Sequence, residues 1–243
     1  MIPDQLDKQL IGDEMNEMEL SAEERKVLAR LKANYRAGFD RFRVGDLEIN
    51  LLQVTDLEFL LKGKDPFADV ASFPFWSRLW EAAMVLADFL AGQSLEGKRL
   101  LELGAGLGAP GLIAAVGGAE VVLSDYESHV LDFERISGAA NGFANVQTRM
   151  IDWHKPPKLD PFELIVGAEI LFREEFFAPL LKVFKQYLAP GGEIYLAHEA
   201  SRKSLPAFLK LAERDYDIAI SQRRFHKDDG ELLIVLARLT AKG

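Results

Sequence analysis

The sequence predicts an α/β protein built on a doubly wound, mostly parallel sheet. Three observations carry this. From Arg99 onward, short apolar runs of strand length alternate with longer runs of helical period. The first of these strands runs into a glycine-rich turn, Glu102-Leu103-Gly104-Ala105-Gly106-Leu107-Gly108, that opens a helix. The tail then breaks the rhythm with two strand-like runs and no helix between them, so the last pair is expected to be antiparallel. Right-handed crossovers limit such βαβ units to a sheet covered by helices on both faces.

The elements follow in order. Residues 1–20 read as an acidic arm, with Asp4, Asp7, Asp13, Glu14, Glu17 and Glu19 against a single Lys8. Ser21-Ala22-Glu23-Glu24 is a capping box, in which Ser takes a free N–H and Glu reaches back. Val27, Leu28, Leu31 and Tyr35 then keep helical spacing to about Tyr35. Two alternating runs flank Gly45-Asp46, which predicts a β-hairpin over 36–55. A loop around Gly63 and Pro66 leads to Phe73-Pro74-Phe75-Trp76. A helix is expected from Ser77 to Gly92, with the stripe Leu79, Trp80, Ala83, Met84, Ala87 and Leu90.

The core strands are placed at Arg99–Leu103, Glu120–Ser124, Val146–Ile151, Phe162–Ala168 and Glu193–Ala197, the last after a break at Pro190-Gly191-Gly192. Helices are placed after the glycine turn, with Pro110 in the first turn and Gly117 at the end, up to Ala140, over Glu174–Leu188 and over Ser204–Asp215. The tail strands lie near Asp217–Ser221 and Glu231–Leu239, joined by a polar loop containing Asp228-Asp229-Gly230. With no repeat and no low-complexity linker, the 243 residues read as one catalytic-sized domain, 73–243, with an extension, 1–72.

Composition removes whole classes of function. The 29 Lys and Arg against 38 Asp and Glu give a net charge of −9, which argues against a nucleic-acid partner, since phosphate binding needs a basic footprint. The absence of cysteine excludes disulfides, zinc ribbons and thiol nucleophiles, and four histidines make a His-rich metal site unexpected. The longest uncharged run, Leu103 to Ala119, holds six glycines and Pro110 and falls short of the roughly 20 residues a bilayer span needs. No membrane partner is expected, and with a start that is acidic rather than leader-like the expected location is cytoplasmic.

In such a sheet ligands bind beyond the carboxyl ends of the strands, near the reversal of strand order. Four places are selected. The glycine turn lets backbone approach a ligand, and Gly104-x-Gly106-x-x-Ala109 also fits the dinucleotide pattern; the alternative is a tight turn serving helix packing. Glu102, just before it, suits a cationic ligand rather than a pyrophosphate. Asp125, with Tyr126, follows about 20 residues later, where an acid takes the ribose hydroxyls of an adenosine; the alternative is a helix N-cap. Asp152-Trp153 ends the third strand and offers an acceptor for an adenine amino group beside an indole, or else a loop Asp and a core Trp. Glu169, in Gly167-Ala168-Glu169-Ile170-Leu171-Phe172, is the one acid of an apolar stretch and would orient an acceptor amine, or else cap a helix or pair with Arg173. Together the positions describe a site for an adenosine carrying positive charge, and S-adenosylmethionine is that molecule.

With these residues in view, the chain resembles the class I methyltransferases from about Phe73 to Ala200. Glu102-Leu103-Gly104-Ala105-Gly106-Leu107-Gly108 is similar to their motif I, and the tail to their antiparallel seventh strand. The resemblance implies a Rossmann-like sheet of seven strands in the order 3-2-1-4-5-7-6, with the last strand antiparallel. Within that class it is similar to the family-16 lysine methyltransferases, on the hairpin before the core, Phe75-Trp76-Ser77-Arg78-Leu79-Trp80-Glu81-Ala82-Ala83, Ser124-Asp125-Tyr126, Asp152-Trp153 and Gly167-Ala168-Glu169. The implied cofactor is S-adenosylmethionine. Its expected neighbours are Trp80, Glu102, Gly104, Ala105, Gly106, Gly108, Asp125, Tyr126, Asp152, Trp153 and Ala168, with Trp80 and Trp153 touching it, Glu102 and the glycines at its methionine end, and Asp125 at its ribose. The implied partner is a protein substrate carrying lysine, or a small-molecule acceptor. The family's Asp-x-x-Tyr after strand four reads here Glu169-Ile170-Leu171-Phe172, an acid one methylene longer and no tyrosyl hydroxyl.

Glu169 is the expected catalytic residue, orienting the acceptor first and taking its proton second. Phe73, Phe75, Trp76, Phe172 and Phe176 are candidates for an apolar wall, although aromatics of this kind are also core. Gln222 to Lys227 is a basic run, read as a solvated hairpin. No histidine keeps company suggesting a ligand set or triad. Two rivals remain: an NAD-dependent oxidoreductase, favoured by the glycine pattern, and a non-catalytic protein that binds S-adenosylmethionine.

Overall fold

A computed structural model describes residues 20–61, 73–227 and 230–243. The acidic arm, the loop around Gly63 and Pro66, and the Asp228-Asp229 corner lie outside the described residues.

Helix α1, Ala22–Tyr35, begins on the predicted capping box: Ser21 Oγ accepts from Glu24 N–H while Glu24 Oε2 accepts from Ser21 N–H at 2.7 Å. Strands β1, Ala37–Val44, and β2, Leu47–Val54, form the hairpin, with Val44 opposite Leu47 across the two-residue turn. A short helix that the sequence reading missed, α2, spans Leu57–Leu61; Asp56 accepts from Phe59 N–H at 2.8 Å and caps it.

Helix α3 is Glu81–Ala91, four residues shorter at its start than expected. Phe75–Ser77 form a separate 3-10 turn instead, and Trp80 stands at the N-cap. The buried stripe is therefore Ala82, Val85, Leu86, Ala87 and Leu90, not the one predicted through Leu79, Ala83 and Met84.

From there the order is β3 Arg99–Leu103, α4 Ala109–Val116, β4 Glu120–Asp125, α5 Ser128–Ala140, β5 Val146–Met150 and β6 Phe162–Ala168. After a 3-10 turn at Glu174–Phe176 come α6 Phe177–Tyr187, β7 Leu188–Glu199, α7 Ser204–Ala212, β8 Tyr216–Lys227 and β9 Gly230–Ala241. The sheet order is β5-β4-β3-β6-β7-β9-β8, which is the 3-2-1-4-5-7-6 order, and β9 is antiparallel to both neighbours. Order reverses beside β3, between its parallel partners β4 and β6.

Two departures have physical reasons. Strand β7 starts at Leu188, not after Pro190-Gly191-Gly192, because a register shift between Phe162 and Leu164 absorbs those residues without ending the pairing. Strands β8 and β9 pair from Tyr216–Ala241 to Lys227–Gly230, so the basic run is an exposed strand rather than a loop. Paired backbone, not side-chain apolarity, carries the hairpin that far.

Helix α6 shows how the core is made. Phe177, Leu180, Val183, Phe184 and Tyr187 fall on one face and are buried with Phe208, Leu196 and Leu239. Each such side chain contributes about 1.5–3 kcal/mol by leaving water. The hairpin and α1 pack on α5, where Leu52 N–H donates to Ser137 Oγ at 2.9 Å and Asn141 bonds Asn50 in both directions at 2.8 Å. The expectation that helices cover both faces fails at one place. Residues 151–161 join β5 to β6 without a helix, and a groove of about 810 Å³ lined by Arg99, Val122, Arg149 and Lys158 remains on that sheet face. No helix among the described residues is long and apolar enough to cross a membrane.

Candidate active site

The site is built at the carboxyl ends of β3, β4, β5 and β6. Gly104, Gly106 and Gly108 all take positive φ, at 59°, 58° and 72°, which L side chains resist. Two of them also lack room. A Cβ on Gly108 would meet Leu123 at 2.8 Å, and one on Gly104 would meet Ile170 at 3.0 Å with the Trp153 ring at 3.7 Å. The loop is thus clamped between β4 and the residues after β5 and β6, with the Trp153 ring against Gly104. The backbone of Trp76 lies 3.6 Å from the same point at Gly106, so the 3-10 turn backs the loop from the other side.

Asp125 ties the loop to the next strand. Its Oδ2 accepts from Gly106 N–H at 3.3 Å, and its Oδ1 from Tyr126 N–H at 2.7 Å and Glu127 N–H at 3.2 Å. Burial pushes its carboxyl up, with these N–H groups opposing. Tyr126 is 68% exposed at the rim. Asp152 accepts from His154 N–H at 2.9 Å and folds the turn that carries Trp153, whose ring meets Phe176 edge-on at 5.5 Å. Ala168 ends β6 opposite Ala197, half-buried beside this group.

Trp80 is held by Nε1–H donating to the Phe75 carbonyl at 2.7 Å, with Phe75 itself 45% exposed. Phe73, Phe75 and Trp80 form one aromatic cluster; Phe172, Phe176 and Trp153 form another, Phe172 being 60% exposed. Trp76 does not join this wall. Its ring packs inward against Tyr35, His129 and Phe133.

Glu102 corrects the sequence reading most. It is 2% exposed, and its Oε2 accepts from Gly111 N–H at 2.7 Å, inside the first turn of α4. It therefore supports the loop from beneath rather than presenting a carboxylate to a ligand. Burial raises it to about 8, with Gly111 N–H opposing and Asp125 reinforcing, so at neutral pH it is largely protonated and brings little negative charge to the site. A bare glycine is required at 111, because a Cβ would come within 2.8 Å of that oxygen and 2.4 Å of Leu123. Below the same loop sits Glu134 of α5, fully buried with neither oxygen bonded. Nothing in the local pattern marks it, since a lone Glu in a helix reads as surface.

Glu169 takes φ 55°, a conformation costly for a side chain with Cβ. Its carboxylate is clasped by the end of β7: Oε1 accepts from Glu199 N–H at 2.7 Å and Oε2 from Arg202 Nε–H at 3.0 Å, with His198 Nδ1 at 3.8 Å. Burial would push the carboxyl up, but His198, Glu199 N–H and Arg202 together hold it below the usual range. The expected rival partner Arg173 bonds Glu175 instead. His198 is 1% exposed and its Nδ1 stands near the Glu169 carboxylate, a contact that sequence spacing could not show across β6 and β7.

The donor set fits an adenosyl group bearing positive charge. The groups bonding Asp125 and Asp152 are all backbone N–H groups, each acid keeps acceptor capacity, and no Lys or Arg among the described residues bonds either of them. Among the described residues no cluster of His, Cys, Asp and Glu could hold a metal.

Comparison with known proteins agrees. A family model described as "Lysine methyltransferase" matches residues 75–215. The mouse EEF1A lysine methyltransferase 3 is 33% identical over 163 residues, covering 60% of this chain and 69% of that protein. The mouse histone-arginine methyltransferase METTL23 is 38% identical over 111 residues, covering 42% of this chain and 44% of that one. The zebrafish (Danio rerio) protein N-lysine methyltransferase METTL21A is 36% identical over 140 residues, covering 50% and 62%. Among solved structures, TYW2 of Pyrococcus horikoshii in complex with MeSAdo superposes with TM-score 0.55 at 15% identity, over 84% of this chain and 72% of that one. A TehB-like SAM-dependent methyltransferase from Corynebacterium glutamicum gives 0.51 at 21%, over 68% and 90%. At such identities these two show the fold alone. On the extent of the family match, the chain belongs to the lysine methyltransferase family and is an enzyme that uses S-adenosylmethionine as methyl donor.

Proposed function

We propose that the chain methylates a protein lysine side chain in the cytoplasm, with residues 73–243 as the methyltransferase domain and residues 1–72 as an N-terminal extension. Asp125 holds the ribose hydroxyls, and Asp152 with Trp153 holds the adenine. The backbone at Gly104, Ala105, Gly106 and Gly108 faces the methionine end, with Trp80, Tyr126 and Ala168 at the rim. Glu102 acts from below, through Gly111. The bound cofactor supplies an electrophilic methyl on a sulfonium.

The observation that carries the acceptor is Glu169: an ionised, immobilised carboxylate just past the end of β6, largely buried but still 18% exposed. Such a group attracts and aims an ammonium. Because His198 and Arg202 hold it ionised, it is a weak base, so it orients the acceptor while the proton leaves to water. A lysine ammonium near pKa 10.4 must lose that proton before its lone pair can displace the thioether in line. Alignment of acceptor and methyl is worth about 7–11 kcal/mol, and the aromatic rims add about 0.5–2 kcal/mol by cation–π contact.

A guanidinium acceptor is the second reading, favoured because Glu169 already receives one from Arg202 at 3.0 Å. Incubation with methyl-labelled S-adenosylmethionine and cytoplasmic extract tests both. A labelled protein band yielding methyl-lysine on hydrolysis is expected. Methyl-arginine would establish the second reading, and label confined to small molecules would refute both.

A further inference from the structure

The reaction as described uses neither oxygen of Glu134, although a fully buried, unbonded carboxyl is among the most costly groups a fold can carry. Its place is specific. Its Cγ lies 3.7 Å from where a Cβ on Gly108 would stand, directly beneath the cofactor loop, and it acts electrostatically on Glu102 and Asp125. Glu102 lies under the same loop, bonded to Gly111 N–H. We propose that Glu102 and Glu134 form a proton-holding pair beneath the loop, which ionises when a cofactor bearing a sulfonium binds above it and so favours the sulfonium methyl donor over its thioether product.

The coupling is electrostatic. Two buried carboxyls under one loop that act on each other cannot both ionise cheaply, and they titrate as a pair. In the low dielectric of the interior, a positive charge on the far side of a bare glycine backbone is poorly screened. That charge stabilises a carboxylate below, and one proton leaves to solvent for each carboxyl that ionises. Linkage then requires donor affinity to rise with pH until the pair is ionised without ligand, whereas the product, which shares the ammonium but lacks the sulfonium charge, gains less.

The charges found to act on Glu134 are both negative, Asp125 at the end of β4 and Glu102 on β3. From α1, Arg30 is bound to Asp132 at 2.6 Å, and Arg135 of α5 acts on Glu24. Strand β2 meets α5 through Leu52 N–H and Asn50. Arg149 of β5 bonds Gln147, and His129 lies among Tyr35, Trp76 and Glu127.

The inference rests on the reading that this loop and Asp125 hold the cofactor. Titration calorimetry of the full chain with S-adenosylmethionine and with S-adenosylhomocysteine, in buffers of different ionisation heat, measures affinity and proton release together. From about pH 6.5 to 8.5, donor affinity should tighten roughly tenfold with net proton release, while product affinity changes less than about twofold. Glu134→Gln and Glu102→Gln should each narrow that difference. Equal pH dependence of the two ligands in the unaltered chain overturns the proposal, as does a difference undiminished in both variants. Asp125→Ala judges the underlying reading separately: full affinity for both ligands in that variant would refute it, whatever the proton count.

Discussion

Two places in this molecule bury glutamates near the carboxyl ends of the sheet strands, and they do opposite things. Beneath the glycine loop, Glu102 and Glu134 have one N–H bond between them and only acids for neighbours, so both are driven toward the neutral form. At the β6–β7 corner, Glu169 is also buried for the most part, yet two donors and His198 keep it charged. Burial is common to both. What differs is whether the chain supplies donors at the carboxylate, and that decides which acid can steer a cation and which can store a proton.

The sharpest way to break the contrast is at the charged corner. Glu169→Gln should lower turnover by about 100-fold, on the order of the 1.5–3 kcal/mol of a charged contact, with S-adenosylmethionine affinity within about twofold. Unchanged turnover would remove Glu169 from the reaction and leave it a clasp between β6 and β7.

The neutral site predicts a gain instead. Glu134→Met replaces an unbonded carboxyl by an apolar chain of similar size, and denaturant unfolding should show stability raised by about 1–3 kcal/mol. A loss would mean that buried water or a rearranged partner satisfies the carboxyl in solution.

Next come the pH limits of stability, where the two places have opposite signs. Glu102, raised to about 8, binds a proton in the folded chain that the unfolded chain releases above about 4.5, so its contribution declines as pH rises from about 4.5 to 8. Glu169 is depressed, so its contribution is present above its unfolded value and is lost as pH falls through its folded one. Glu102→Gln should therefore flatten the fall of Tm between about pH 4.5 and 8, and Glu169→Gln the fall at more acid pH. Interchanged effects would contradict both assignments.

The smallest expected effect is at Arg202. Its guanidinium is 45% exposed and screened, so Arg202→Ala should raise the acid limb of the kcat profile by less than about one pH unit and lower kcat by less than about tenfold. A shift in cofactor affinity instead would place Arg202 in the wrong pocket.

The sequence by itself determined the strand–helix rhythm, the hairpin at Gly45-Asp46, the capped first helix and the four strand tips that carry the candidate site residues. These are local properties: period, caps, turn residues and the fixed hand of crossovers act over a few residues at a time. It also located Asp125, Asp152 and Glu169 correctly at strand ends. Only the tertiary structure decided which way each acid faces and what meets it. Glu102 turns under the loop because α4 offers Gly111 N–H there, and Glu169 stays ionised because β7, laid parallel to β6, delivers His198, Glu199 and Arg202 some thirty residues on. A carboxyl's charge depends on dielectric and on donors brought from distant parts of the chain, and neither quantity exists until the strands are side by side.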